Sequence, residues 1–269
     1  LFEYEEFTGL RESASIGGQY VNIDINNGRL ISNNSKNCKK NIFFYGGEIV
    51  FGYDVTDNQS IPYYLREIFE KDDLDYCVFN FGRRTYYSTQ ENILFQKHII
   101  KAKINEKDLI IFLDGNNEQG NQKLLNTNFI EKNYNSLHRK YWLLYKSGVK
   151  YLIDLLPATQ LVAVLSKKIG FDKKDNLNNN ITDYKSADIS SVFEKNIKIR
   201  NAICDEYNLK CYNFTFFLNN IKIILKNNEN VHDLTNFHAK NLLINKYNSL
   251  SPKSNQIIAK KIYERIIDW

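Results

Sequence analysis

Residues 41–52 read NIFFYGGEIVFG, and this stretch decides the fold of the chain. An apolar run at residues 42–45 ends in two glycines, and a second apolar segment closes at Gly52. This order is typical of a buried strand that turns into a helix at the carboxyl edge of an α/β sheet. Ligands and nucleophiles lie at that edge in such folds. The residue presented there is Glu48.

Further along the chain, strands and helices alternate. Apolar runs at residues 76–81 and 109–113 predict two more buried strands, and Ser60 and Ser88 are the predicted caps of the helices between them. This alternation predicts parallel strands joined by right-handed crossovers. The predicted helices lie at residues 61–70, 88–103, 137–147, 161–168, 190–207 and 252–267, and the further strands at 20–25, 149–155 and 211–217, with an exposed loop at 171–185.

Composition and charge favour one globular domain. No repeat or linker interrupts the chain, so we expect a single domain over residues 1–269 with an irregular arm at 1–36. The 36 basic and 31 acidic residues give a net charge of +5 and are interspersed, which predicts no nucleic-acid partner. No apolar run approaches the ~18 residues of a membrane span. Because the chain contains no Met, we expect its natural start to lie upstream.

The four cysteines form no CxxC pair, so we predict no zinc site. Two pairings are open as alternatives to four free thiols. Cys204 and Cys211 are placed to join a helix end to the following strand. Cys38 and Cys77 can meet if the first two strands of the sheet are neighbours.

Three strand ends carry unusual residues, in the stretches GGEIVFGYDVTDNQSIPYYL, FNFGRRTYYSTQE and IIFLDGNNE, and residues 250–259 read LSPKSNQIIA. Their order and spacing resemble the SGNH hydrolases, also called GDSL-like lipases and esterases, over most of the chain. The resemblance implies a flavodoxin-like three-layer α/β/α sandwich around a central parallel sheet. It also implies roles for residues at the strand ends.

The resemblance places Glu48 at the position of the nucleophilic serine and Gly82 and Asn117 at the positions of the oxyanion hole. Transfer of an acyl group needs a hydroxyl that a base can deprotonate beside donors aimed at the oxyanion. A carboxylate is a poor nucleophile toward esters and repels an oxyanion. We therefore expect Glu48 to fill the hole by accepting hydrogen bonds from Gly82 N–H and the Asn117 amide.

The base and its carboxylate are also missing. The family supplies them from a late Asp-x-x-His, and an ungapped count back from residues 250–252 places Lys246 and Ser249 there. A one-residue insertion gives Asn245 and Asn248 instead. Neither register contains a histidine, so the resemblance implies a degenerate triad.

The second motif departs from the family as well. Arg84 and Thr85 stand where the family usually has a small residue and a glycine. We expect Arg84, or alternatively Lys246, to neutralise the Glu48 carboxylate, which would give a charge-locked, retired active site. Arg84 with the aromatic residues Tyr86 and Tyr87 is the predicted lining of the pocket, and ordinary packing is the alternative role of the two tyrosines.

Four histidines are available as replacements for the base: His98, His138, His232 and His238. His98 and His138 are expected to be packing or surface residues. His232 and His238 precede the lost triad segment and are the only candidates for recruitment. Metal binding by Glu48, Glu118 and a histidine is a further alternative.

These observations predict an SGNH-hydrolase-like protein that is a non-catalytic binding or structural module and needs no cofactor. Relatives with a similar lead-in look extracytoplasmic and act on surface glycans, so the resemblance implies an extracytoplasmic location and a carbohydrate or cell-surface protein as partner. One alternative is a carbohydrate esterase or O-acyltransferase with non-standard catalytic residues. Another is a scaffold subunit of a surface assembly.

Overall fold

The structure, a computed structural model, describes residues 2–5, 8–12, 15–31, 38–114, 117, 187–215, 231–234 and 250–267. All of these residues belong to one compact unit, formed by Leu1–Gln122 and Ser186–Trp269. The elements expected at residues 137–147, 149–155, 161–168 and 171–185 lie outside the described residues. A single domain over residues 1–269 therefore stays a prediction.

The strands are β1 (Phe2–Glu5), β2 (Gly9–Glu12), β3 (Ile23–Asp24), β4 (Gly28–Arg29), β5 (Lys40–Gly46), β6 (Tyr76–Gly82), β7 (Leu109–Asp114), β8 (Lys210–Thr215) and β9 (Val231–Asp233). The helices are α1 (Glu48–Phe51), α2 (Ile61–Lys71), α3 (Ser88–Ile100), α4 (Ala187–Glu206) and α5 (Pro252–Ile267), with a 3₁₀ turn at Asp57–Gln59.

The central sheet has seven strands in the order β3-β4-β6-β5-β7-β8-β9. The strands from β6 to β9 in this order are parallel, whereas β4 pairs antiparallel with β6 and β3 pairs antiparallel with β4. Numbered along the chain, the five parallel strands follow the 2-1-3-4-5 order of flavodoxin-like folds. The predicted fold class is confirmed.

Successive side chains of β5 enter two different cores, because neighbouring residues of a strand point to opposite faces. Ile42 and Phe44 pack in a core with the inner faces of α2 and α5. Phe43 and Tyr45 pack in the other core with residues of α3 and with Cys204 of α4. A sheet covered on both faces explains why its strands are continuous apolar runs.

Two helix starts agree with the sequence analysis. Ser60 Oγ accepts a hydrogen bond from Tyr63 N–H at 3.3 Å, and Pro62 lies in the first turn of α2. At α5, Ser251 Oγ accepts from Ser254 N–H at 3.2 Å. Both caps lie where the serine–proline signals predict them.

The predicted cap at Ser88 is wrong. Ser88 is the first residue of α3, and Tyr87, which precedes it, makes no side-chain cap. The Ser88 hydroxyl accepts from Asn196 Nδ2 at 2.8 Å, and the Glu91 carboxylate faces Arg200 at 3.3 Å. Tertiary partners on α4 have taken both groups of the expected capping box.

The N-terminal arm contains more structure than the sequence indicates. β1 and β2 form a separate antiparallel hairpin that was not predicted. Of the strand predicted at residues 20–25, Ile23–Asp24 is formed as β3, and β3 and β4 together extend the central sheet beyond β6. The short strand β9, at the opposite edge of the sheet, was also not predicted. Strands of two to four residues show no readable periodicity, and their pairing comes from the neighbouring strand.

Both cysteine pairings that the sequence left open are formed. Cys38 bonds Cys77 of β6 with 5.4 Å between the Cα atoms, and Cys204 of α4 bonds Cys211 of β8 with 6.2 Å. The first disulfide depends on the neighbouring positions of β5 and β6, which the register confirms. All four cysteines of the chain are therefore bonded.

Candidate functional site

The ends of β5, β6 and β7 meet at the carboxyl edge of the sheet. The register places Gly46 opposite Gly82, and Arg83 N–H donates to the Gly46 carbonyl at 2.9 Å. Asn117, three residues beyond β7, lies so close to Gly47 that a Cβ there would be 2.4 Å from Asn117 Nδ2. The three motifs singled out in the sequence therefore lie side by side.

Glu48 is the first residue of the single-turn helix α1, directly after Gly47. Its side chain is 24% exposed. Burial raises the pKa of Glu48; the positive charge of Arg84 opposes this shift and the negative charge of Asp54 adds to it. The net effect is a raised pKa. Ionising Glu48 in the folded protein therefore carries a desolvation cost that the charge of Arg84 offsets only in part.

Arg84 is the cation of this site. Its Nε lies 3.8 Å from Glu48 Oε1, and its guanidinium lies over the Tyr53 ring, 4.7 Å from the centroid. The Arg84 side chain is 47% exposed, so solvent screens the attraction. The pairing expected for Arg84 is present, whereas Lys246 lies outside the described residues.

Gly82 is needed for close packing at this edge. A Cβ on Gly82 would lie 2.2 Å from the backbone nitrogen of Phe51 in α1. The Gly82 N–H donates to Asn80 Oδ1 at 2.9 Å, and Asn80 Nδ2 donates in turn to the carbonyl of Val50. Asn80 thus bridges β6 and α1, and the assignment of Gly82 to a former oxyanion hole stays a prediction.

Asn117 is directed toward the second motif. Its Nδ2 donates to the backbone carbonyl of Tyr86 at 2.7 Å. In the described part of the chain neither this amide nor the Gly82 N–H bonds the Glu48 carboxylate. The expectation that these two donors bond the Glu48 carboxylate is therefore wrong, and the charged contact of the carboxylate is with Arg84.

Tyr86 and Tyr87 are both buried, so neither presents an open aromatic face. Tyr86 packs in the core with Phe81 and Phe95, and its hydroxyl donates to Glu5 Oε2 of β1 at 3.5 Å. Of the two roles that the sequence left open for these tyrosines, ordinary packing is the one that this burial supports.

Thr85 adopts a φ of +66°, in the left-handed region. A β-branched residue rarely occupies that region, whereas glycine does so without strain. The resemblance placed a glycine at this point of the second motif. The backbone at Thr85 therefore has a conformation that suits glycine better than threonine.

The candidate replacements for the base fall into two groups. Ser249, Asn245, Asn248, His138 and His238 lie outside the described residues, as does Glu118. His98 is buried in α3 and bonded to the Tyr45 hydroxyl at 2.7 Å, and burial lowers its pKa to about 3. His98 is therefore a neutral packing residue, as expected.

His232 lies on β9, far along the sheet from Glu48. Burial and, less strongly, the charge of Arg265 lower the pKa of His232, and its ring lies 5.1 Å from that of Phe214. β9 is three strands from β5, which amounts to about 14 Å at the usual spacing of strands. Recruitment of His232 as a base for position 48 is not supported by this geometry.

A buried ionic cluster near the end of β7 was not recognised in the sequence. Arg200 of α4 is fully buried and makes a two-pronged contact with Asp114, at 2.6 and 2.9 Å, as well as a 3.3 Å contact with Glu91. Arg200 Nε donates to Asn92 at 2.6 Å, and its guanidinium stacks 3.9 Å from the Phe112 ring centroid. The one available signal was an Asp that ends an unbroken apolar strand.

Metal ligation and membrane insertion find no support in the described residues. No group of histidine, cysteine or carboxylate side chains there is arranged to hold a metal ion. Within the same residues, no helix has the length and apolar character required to cross a membrane.

No protein-family model matches the chain, and no curated protein matches its sequence. Solved structures do match. The psychrotrophic esterase EstA from Pseudoalteromonas sp. has 9% sequence identity and a TM-score of 0.50, over 85% of this chain and 97% of the esterase. A member of the lipolytic G-D-S-L family from Veillonella parvula has 12% identity and a TM-score of 0.36, over 84% and 97%.

The acetylxylan esterase Axe2 from Geobacillus stearothermophilus has 14% identity and a TM-score of 0.35, over 85% of this chain and 94% of the esterase. At such identities the likeness shows the fold alone. The fold of this chain is SGNH-hydrolase-like, as its motifs predicted.

Proposed function

We propose that this protein is a non-catalytic binding module built on a degenerate SGNH-hydrolase active site, with carbohydrate as its ligand. The observation that carries the proposal is the ion pair of Glu48 with Arg84 at the nucleophile position. A carboxylate held by a cation supplies no neutral hydroxyl for acyl transfer. The donors beside it are engaged with Asn80 and Tyr86.

The two disulfides support an extracytoplasmic location, because such bonds persist in oxidising compartments. In such a location a surface glycan or a cell-surface protein is the accessible partner. The carbohydrate class follows from the family resemblance.

The test is hydrolysis of p-nitrophenyl acetate by the wild-type protein, Glu48→Ala and Asn117→Ala. We expect all three to release product at the rate of the buffer blank. Because Asn117 also bonds the Tyr86 carbonyl, thermal melts must show that Asn117→Ala is folded. Turnover by the wild type that is lost in folded Asn117→Ala would mean a working oxyanion hole and would overturn the proposal.

One observation favours a second candidate, an esterase or O-acyltransferase in which Glu48 is the general base. A raised pKa moves a carboxylate toward the range in which general bases operate. The same assay separates this candidate, because its turnover would disappear in Glu48→Gln, which keeps the shape of the side chain and removes its charge.

A further inference from the structure

A polar groove lies between the chain that precedes β3 and the 3₁₀ turn that precedes α2. Its volume is about 540 Å³, within the usual range for sites of small ligands. No aliphatic, lysine or arginine side chain is among the described residues that line it. The lining residues are Gln19, Tyr20, Asn22, Thr56, Asp57, Asn58 and Gln59.

Tyr20 supplies the aromatic ring of this lining. The residue is 61% exposed, so a ring face is open to a ligand. Its backbone is nevertheless fixed, because the Tyr20 carbonyl accepts from Asp57 N–H at 2.9 Å. This backbone hydrogen bond joins the two walls of the groove and does not involve the Tyr20 ring.

Amide groups with spare hydrogen-bonding capacity line the same groove. Asn58 Oδ1 accepts from the Thr56 hydroxyl at 2.5 Å and Gln59 Oε1 accepts from Thr56 N–H at 3.4 Å. These contacts orient both side chains and leave their NH₂ groups, together with the amide of Gln19, without a partner in the described part of the chain. Oriented NH₂ donors beside an exposed ring suit a ligand with many hydroxyl groups.

The negative charge of Asp57, the one ionisable carboxylate among the described lining residues, is balanced by the buried Arg29. One oxygen of Asp57 accepts from Arg29 Nε at 2.8 Å, and the other accepts from Asn22 Nδ2 at 2.8 Å. Arg29 is 2% exposed and therefore does not reach the lining. A carboxylate neutralised in this way leaves no net charge to attract an ionic ligand, which favours a neutral one.

Arg29 also fixes the chain that leads from α1 into the groove. Its guanidinium donates to the carbonyls of Phe51, Gly52 and Val55 at 2.7, 2.5 and 2.6 Å. The chain from the end of α1 to Asp57 is thus fixed around one buried side chain. A preformed groove of this kind loses little conformational entropy when a ligand binds.

We propose that this groove binds a neutral saccharide, with one sugar ring stacked on Tyr20 and its hydroxyls bonded by Gln19, Asn58 and Gln59. The site uses none of the residues of the Glu48 edge, although its ligand class rests on the carbohydrate-binding role in the proposed function. The end of α1 held by Arg29 connects the groove to the helix that begins at Glu48.

The experiment titrates the full chain with xylotetraose, mannotetraose or cellotetraose, with tetragalacturonate as the anionic comparison, up to about 10 mM by NMR. We expect one or more neutral tetrasaccharides to bind and Tyr20→Ala to weaken binding about three- to tenfold. Tyr207→Ala is the matched control, because Tyr207 is 54% exposed at the end of α4. It should leave the affinity unchanged.

Gln19→Ala gives a second reading, since Gln19 is exposed and its loss should weaken binding without affecting the fold. The proposal is overturned if no neutral tetrasaccharide binds, if tetragalacturonate binds more tightly, or if Tyr20→Ala matches Tyr207→Ala. A wild type that hydrolyses p-nitrophenyl acetate and also binds sugar at Tyr20 would contradict the proposed function, while the proposal that the groove binds a saccharide would stand.

Discussion

Glu48 Oε1 lies 3.8 Å from Arg84 Nε, at the carboxyl edge of the central sheet. The pair is only partly buried, and the pKa of Glu48 is raised despite the cation. Desolvation therefore outweighs the attraction, and the ionised carboxylate lowers the stability of the folded state.

This balance predicts a pH-dependent effect of Glu48→Gln. Because the folded-state pKa is raised, the favourable contribution of protonated Glu48 is complete below the unfolded pKa near 4.5 and is lost as the pH rises through the folded value. Glu48→Gln should therefore unfold at higher denaturant than the wild type at pH 7, and the difference should shrink below pH ~4.5. Urea titrations at several pH values measure it. A variant that is less stable at pH 7 would show that Arg84 dominates.

Gly82→Ala tests the contact between β6 and α1. The added Cβ would lie 2.2 Å from the Phe51 nitrogen, which is backbone and cannot turn aside. We expect a loss of about 1–3 kcal/mol in the free energy of unfolding. Gly17→Ala is the control, because no atom lies within 4 Å of its added Cβ, and it should change stability by less than about 0.5 kcal/mol. Equal effects would contradict the close approach.

The sequence was sufficient to predict the parallel centre of the sheet. Residues 42–45, 76–81 and 109–113 are continuous apolar runs, and each became a parallel strand with boundaries shifted by one or two residues. β3 lies within the strand predicted at residues 20–25, of which only Ile23–Asp24 is formed, whereas β4 and β9 were not predicted because strands of two or three residues show no readable periodicity.

At the site, the sequence predicted the meeting of the strand ends and the pairing of Glu48 with Arg84. It did not predict the hydrogen bonds of Gly82 and Asn117. Gly82 N–H bonds Asn80, only two residues earlier, and Asn117 bonds a backbone carbonyl. These nearby acceptors are held in place by the backbone, whereas the Glu48 carboxylate is carried by a partly exposed side chain, so the two donors bond the nearby acceptors. The spacing of the motifs does not reveal which acceptor each donor takes.

Arg200→Met tests the buried ionic cluster. The change removes the cation from Asp114 and Glu91, both of which are buried, and leaves the two-pronged contact of Asp114 unmade. We expect the free energy of unfolding to fall by about 3–5 kcal/mol. In Lys198→Met the lost pair with Glu194 is exposed, so the change should stay below about 1 kcal/mol. Denaturant unfolding of both variants measures the two losses. A loss in the free energy of unfolding of Arg200→Met as small as that of Lys198→Met would refute the stabilising role assigned to Arg200.

The two disulfides should differ in their contribution to stability. Cys38 and Cys77 are 39 residues apart, whereas Cys204 and Cys211 are seven apart, and a longer closed loop restricts the unfolded chain more. The chain-entropy relation gives about 4 kcal/mol for the first and about 2.5 kcal/mol for the second. Replacing each pair by alanines and measuring unfolding should therefore rank the Cys38–Cys77 variant as less stable. The reverse order would mean that native packing around Cys204 outweighs the loop term.

Thr85→Gly should stabilise the protein. The left-handed φ of +66° costs a residue with a Cβ about 1–2 kcal/mol, and glycine removes this cost while adding back about 0.4–1 kcal/mol of unfolded-state entropy. The expected net gain is between zero and about 1.5 kcal/mol in the free energy of unfolding, measured by urea denaturation. Thr85→Val serves as the comparison, because valine keeps the strained conformation and loses the 2.6 Å hydrogen bond from Thr85 Oγ1 to the Arg84 carbonyl. Valine should therefore be the least stable of the three, and a glycine variant less stable than the wild type would show that the threonine hydroxyl contributes more to this turn than the strained backbone costs.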